Sequence, residues 1–109
     1  MNVVDTDTTA WPGDRASFPE DRTASEEQLL ARVEAIGPTL AANRDLTEAG
    51  RTLAPPAVDA LRRSGLFKLK SPREVGGAEA HPVVQMRVIE AMAMYDPAAS
   101  WSMFISSAV

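Results

Sequence analysis

Few side chains in this 109-residue chain have the types and spacing that could do chemistry. The single histidine, His81, is a candidate general base, because imidazole is the side chain most often used for proton transfer. Its place directly before Pro82 suits a second role, capping a helix that the proline opens. Lys68, Lys70 and Arg73 lie close together and could attract a phosphate group, or could simply face solvent from a loop. Gly76-Gly77 lacks both the G-x-G-x-x-G spacing and the preceding strand of a dinucleotide site, and there is no P-loop. Trp101 stands in an uncharged segment, where an indole is either core or the wall of a cofactor pocket. Met86, Met92, Met94 and Met103 recur at helical spacing and read as packing.

The exclusions are firmer. With no cysteine there is no disulfide framework, thiolate metal site or cysteine nucleophile, and one histidine cannot build a His-cluster zinc site. No catalytic residue and no metal ligand can be assigned from the residues themselves. The net charge is −4, which argues against a nucleic-acid partner needing a clustered basic surface. Most of the acidity sits in residues 1–54, with ten acids against five bases; residues 55–109 carry five against six. The N-terminus lacks the basic and apolar regions of a secretory signal. The uncharged stretch Pro97–Val109 is 13 residues long, too short to span a bilayer. A cytoplasmic protein without membrane partners is the expectation.

The elements that must position these side chains are helical. Residues 1–24 read as a flexible arm, with Trp11-Pro12-Gly13 as a segment that could dock on a partner. Ser25-Glu26-Glu27-Gln28 resembles a capping box and predicts a helix start at Ser25. Leu29, Leu30, Val33, Ile36, Leu40 and Ala41 give it an apolar face, with a kink or split at Gly37-Pro38. Residues 43–54 read as a polar segment broken at Gly50. A second helix opens at Pro55 or Pro56, has its apolar edge at Val58 and Leu61, and ends at Gly65. A third starts at His81-Pro82 with a broad, mostly buried face of Val84, Val88, Ile89, Met92 and Tyr95. Asp96-Pro97 opens a fourth, Ala98 to Val109, which carries no charge on any side and has no C-cap. Such a helix predicts an all-α domain that is the N-terminal piece of something longer.

An ordered series of short motifs adds a resemblance. Ile36-Gly37-Pro38 is followed by Leu53-Ala54-Pro55-Pro56-Ala57-Val58 and by Leu61-Arg62-Arg63-Ser64-Gly65-Leu66-Phe67. Then come Pro72-Arg73-Glu74-Val75-Gly76-Gly77, Val88-Ile89-Glu90-Ala91-Met92-Ala93 and Asp96-Pro97-Ala98-Ala99-Ser100-Trp101. In order and spacing, residues 26–109 resemble the N-terminal helical domain of the acyl-CoA dehydrogenase superfamily. The Ala99-Ser100-Trp101 ending is closer in look to its flavin-dependent monooxygenase (hydroxylase) branch.

That resemblance implies a truncated all-α domain spanning residues 25–109 and continuing beyond Val109, behind an arm at 1–24. It implies a parent oxidoreductase that takes reduced FMN or FAD from a separate flavin reductase and hydroxylates an aromatic or polycyclic small molecule. The flavin would be bound mainly by a middle β domain and a C-terminal helical bundle, and the full-length protein would be a homotetramer. Trp101, Ser100 and Tyr95 would then lie at or behind one wall of the substrate pocket. Neither a catalytic carboxylate nor a flavin-binding segment is present, so the chain alone is expected to be inactive. Two other readings stay open: an FAD-dependent acyl-CoA dehydrogenase, and a stand-alone helical interaction module whose apolar last helix docks on a partner.

Overall fold

A computed structural model describes residues 18–107, and within them the fold is wholly helical. Helix α1 (Arg22–Ala42) starts before Ser25, because Asp21 is the better placed cap. The Asp21 carboxylate accepts a hydrogen bond from the Ala24 N–H at 2.9 Å, satisfying one of the first-turn donors. The helix therefore absorbs the last three residues expected in the arm. Ser25 becomes a buried first-turn residue instead of the cap. The first 17 residues, including Trp11-Pro12-Gly13, lie outside the described residues, as do Ala108 and Val109.

The expected break at Gly37-Pro38 does not occur, and α1 runs through Pro38 to Ala42. A mid-helix proline crowds the residue before it and removes one backbone donor. Here the preceding residue is glycine, with no Cβ to be crowded, and Pro38 and Glu34, whose carbonyl loses its donor, both lie on the exposed side. Gly37 itself is buried, and a Cβ built there would overlap the Tyr95 ring. The glycine thus serves a helix contact and relieves the proline at once. Asn43 closes the helix, its Nδ2 donating to the Thr39 carbonyl at 2.8 Å.

Helix α2 (Arg44–Gly50) occupies the segment expected to be irregular. It was illegible because only Thr47 is buried on it, leaving no apolar stripe to read. The Thr47 Oγ1 accepts from the Ala54 N–H at 3.0 Å and so fixes the approach to the next helix. Helix α3 (Pro55–Ser64) starts at Pro55 as expected and buries Ala57, Ala60, Leu61 and Ser64 at helical spacing. Val58, expected on that edge, is only half-buried. Gly65 ends α3 with φ +80°, a conformation glycine adopts without strain. A 3₁₀ turn at Leu66–Lys68 follows, and another at Arg73–Val75.

Helix α4 (Pro82–Ala93) and helix α5 (Pro97–Ser106) both begin at the expected prolines. Burial on α4 is narrower than expected. Val84, Val88 and Met92 form its core stripe, while Val83, Met86 and the following Met94 are exposed. The methionines therefore divide: Met92 and Met103 pack in the core, Met86 and Met94 do not. Helix α5 ends at Ser106, short of the expected Val109, and the Ser107 N–H closes it on the Met103 carbonyl.

Helix α1 is the central element, packing on α3 and α4, and α4 packs in turn on α5. One core joins Leu29, Val33 and Leu40 of α1, Leu61 of α3, Val88 and Met92 of α4, and Met103 of α5. Leu66 and Leu69 complete it from the link after α3.

The Gly37–Tyr95 contact predicts that the two positions are coupled. Gly37→Ala should lower stability by about 1 kcal/mol, since overpacking outweighs the gain in helix propensity. In a Tyr95→Ala background the same change should cost less, because the added Cβ then meets only the crowding by Pro38, set against the gain in helix propensity. Urea denaturation of the four proteins of this double-mutant cycle measures both.

Candidate functional site

Helix α5 has two unlike faces. Ala99, Ser100 and Met103 are buried against the rest of the fold. Ala98, Trp101, Ser102 and Ile105 recur at the same helical spacing on the other side, and Trp101 is 64% exposed. The helix was expected to need burial all round, but its outer stripe stands free among the described residues. Asp96 starts it, Oδ1 accepting from the Ala98 N–H at 3.0 Å. A cleft of about 260 Å³ runs beside the stripe, with Ala98 and Ser102 on one side and Thr47 and Glu48 of α2 and Arg51, Thr52 and Leu53 of the α2–α3 link on the other.

The three substrate-wall candidates fall into different surroundings. Trp101 is exposed and tilted against Phe104, with ring centroids 6.3 Å apart and planes at 41°. Ser100 is 2% exposed, and its hydroxyl donates to the Ile89 carbonyl at 2.8 Å, tying α5 to α4. Tyr95 is half-buried with its ring on Gly37. Trp101 alone of the three faces the open side of α5, and the other two hold that helix in place.

The basic residues of the link do not form one open cation cluster. Both terminal nitrogens of Arg73 donate to backbone carbonyls, of Phe18 at 2.9 Å and Pro19 at 2.7 Å. The Lys70 ammonium lies 3.6 Å from the centroid of the Phe104 ring, a cation–π contact that steadies the ring beside Trp101. His81 is the cap of α4, its Nδ1 accepting from the Val83 N–H at 3.1 Å. Gly76-Gly77 closes a tight turn, with the Gly77 N–H on the Pro72 carbonyl at 2.9 Å. Among the described residues no group of three His, Cys, Asp or Glu side chains could hold a metal ion, and no helix is long and apolar enough to cross a membrane.

Sequence reasoning missed Arg32, which is 1% exposed in the middle of the fold. Its Nη1 donates to the Ser64 carbonyl at 2.7 Å, its Nη2 to Gln28 Oε1 at 3.0 Å, and its guanidinium lies 4.3 Å from the Phe18 ring centroid. The signal was available: Arg32 stands between Leu29 and Ile36 at helical spacing, on the apolar face. A surface pair, Arg87 to Glu26 at 2.6 Å, links α4 to α1. The hydrogen bond that the guanidinium donates to Glu26, then the charge of that carboxylate, hold Arg87 above its ordinary pKa.

Comparisons with protein-family models, with curated proteins and with solved structures return no match to this chain.

The contrast between neighbouring residues on α5 can be measured. Trp101→Phe should shift stability by less than about 0.5 kcal/mol, as expected for an exposed position. Ser100→Ala should cost about 1 kcal/mol, because it removes the hydrogen bond that ties α5 to the Ile89 carbonyl of α4. Chemical denaturation of the two variants tests the assignment.

Proposed function

We propose that this chain is the N-terminal helical domain of a flavin-dependent oxidoreductase of the acyl-CoA dehydrogenase superfamily, of the two-component monooxygenase branch. In this reading the outer stripe of α5 forms one wall of the pocket for an aromatic or polycyclic substrate. The observation that carries it is the uncharged stripe Ala98, Trp101, Ser102 and Ile105, outward on a helix whose opposite face is core. The motif positions support it. Leu61 to Phe67 forms a helix end and turn, Pro72 to Gly77 a second turn, and Asp96-Pro97 the start of the helix that carries Trp101.

Each local residue has a definable task. The indole of Trp101 supplies a flat apolar surface for a ring, and its N–H seeks a polar partner once covered. Phe104 braces it from the next turn, with Lys70 holding Phe104 from the link. Ser100 and Tyr95 set the position of α5 against α4 and α1. A reduced flavin would supply the oxygen chemistry. An apolar stripe suits the body of a substrate better than the polar tail of a flavin, so the cofactor would be held mainly by other domains.

The test uses the product of the complete reading frame that contains this chain, supplied with reduced FMN or FAD and oxygen. Flavin-dependent incorporation of oxygen into an aromatic substrate is expected, and Trp101→Phe should reduce product yield severalfold with flavin reduction by the partner unchanged. The 109-residue chain alone should bind neither flavin at submicromolar concentration. Anaerobic oxidation of an acyl thioester would instead indicate a dehydrogenase. A full-length product that binds no flavin would leave an interaction module.

A further inference from the structure

A second cleft lies away from α5, where the first turns of α1 and α4 meet the link through residues 71–80. It encloses about 240 Å³. At about 30 Å³ per water, that is room for roughly eight waters or one molecule of amino-acid size. We propose that this cleft binds a small zwitterion of the α-amino-acid class, carboxylate toward the helix starts and ammonium toward Glu20 and Glu79. This inference is independent of the function proposed for α5.

The donors converge from four places. The first turn of a helix leaves four N–H groups without an intrahelical acceptor. On α4, Pro82 has no N–H, the Val83 N–H goes to His81 Nδ1, and the Gln85 N–H goes to the His81 carbonyl. The Val84 N–H is the one that remains, and Val84 lines the cleft. Because Nδ1 of His81 accepts, the ring proton belongs on Nε2, which makes that nitrogen a donor at the same helix start.

Ser25 is the second, independent observation. It lines the cleft from the first turn of α1, is only 5% exposed, and its hydroxyl makes no hydrogen bond among the described residues. The hydroxyl oxygen is not sealed from solvent, so water or a ligand in the cleft can meet it. Arg22 lines the same wall and forms no ion pair among the described residues. The Val84 N–H at the α4 start, His81 Nε2, the Ser25 hydroxyl and the Arg22 guanidinium together favour an oxyanion.

The acceptors set the rest of the ligand. Glu20 and Glu79 also line the cleft, and Glu79 keeps one carboxylate oxygen on the Arg73 N–H at 2.8 Å. Two carboxylates would repel a dianion such as phosphate and would welcome an ammonium group. Arg73, pinned on the Phe18 and Pro19 carbonyls, fixes the wall and keeps Glu20 near the link. A monoanion that carries its own cation matches both sets of charges.

The test is amide-resolved NMR titration of the intact chain with each common L-amino acid, and with acetate, inorganic phosphate and methylammonium as part-ligands. At least one amino acid should give saturable shifts at Ser25 and Val84 with little change at Trp101. Acetate and phosphate should bind at least tenfold more weakly. Arg22→Ala, at an exposed position that should leave the fold intact, should weaken binding at least tenfold. Ser25→Ala should weaken it severalfold. Absence of saturable shifts with every amino acid would overturn the proposal. So would phosphate or acetate binding as tightly as the best amino acid, or binding that survives Arg22→Ala.

Discussion

The fold closes around one buried cation. Arg32 reaches from α1 to the last carbonyl of α3, where the helix dipole concentrates negative charge and where backbone acceptors lack partners. Burying a guanidinium is costly unless it is met by hydrogen bonds. The Ser64 carbonyl, the Gln28 side-chain oxygen and the face of Phe18 meet it from three directions. Gly65 is part of the same arrangement, because a Cβ there would stand 2.7 Å from Arg32 Nη1. The glycine that ends α3 also makes room for the charge that caps it.

From that point the remaining contacts follow in order. With the end of α3 fixed, the 3₁₀ turn places Leu66 and Leu69 in the core and directs the link toward α4. The Ala78 N–H bonds the Lys68 carbonyl and the Ala80 N–H bonds the Leu69 carbonyl, so the link folds back on itself before His81. Arg73 gathers Phe18 and Pro19 against the link, and Phe18 returns to Arg32. Helix α5 is reached last, held by Ser100 on Ile89 and by Lys70 on Phe104. Its inner stripe completes the core and its outer stripe, with Trp101 and Ile105, is exposed among the described residues.

Much of this was legible in the sequence, for a local reason. Pro55, Pro82 and Asp96-Pro97 announce helix starts through fixed φ and capping oxygens, and Gly65 announces an end through its backbone freedom. These signals act within a turn of themselves. The misreadings depend on partners distant in sequence. Pro38 looked like a break because Gly37 and its contact with Tyr95, 58 positions away, could not be seen. Helix α2 was hidden because its seven residues bury one threonine. Trp101 was singled out by its uncharged setting, but which face of α5 is core depends on packing against α4. Ser25 was read as a cap, and its actual place in the wall of a cleft depends on His81 and the link.

The dependence of the fold on Arg32 is tested most directly by urea denaturation of Arg32→Met, which keeps much of the side-chain length and removes the charge and its donors. A loss of about 2–3 kcal/mol is expected, because the Ser64 carbonyl stays buried without its charged donor. Equal or greater stability in the variant would contradict it, and would mean that apolar packing holds α1 and α3 together without the cation.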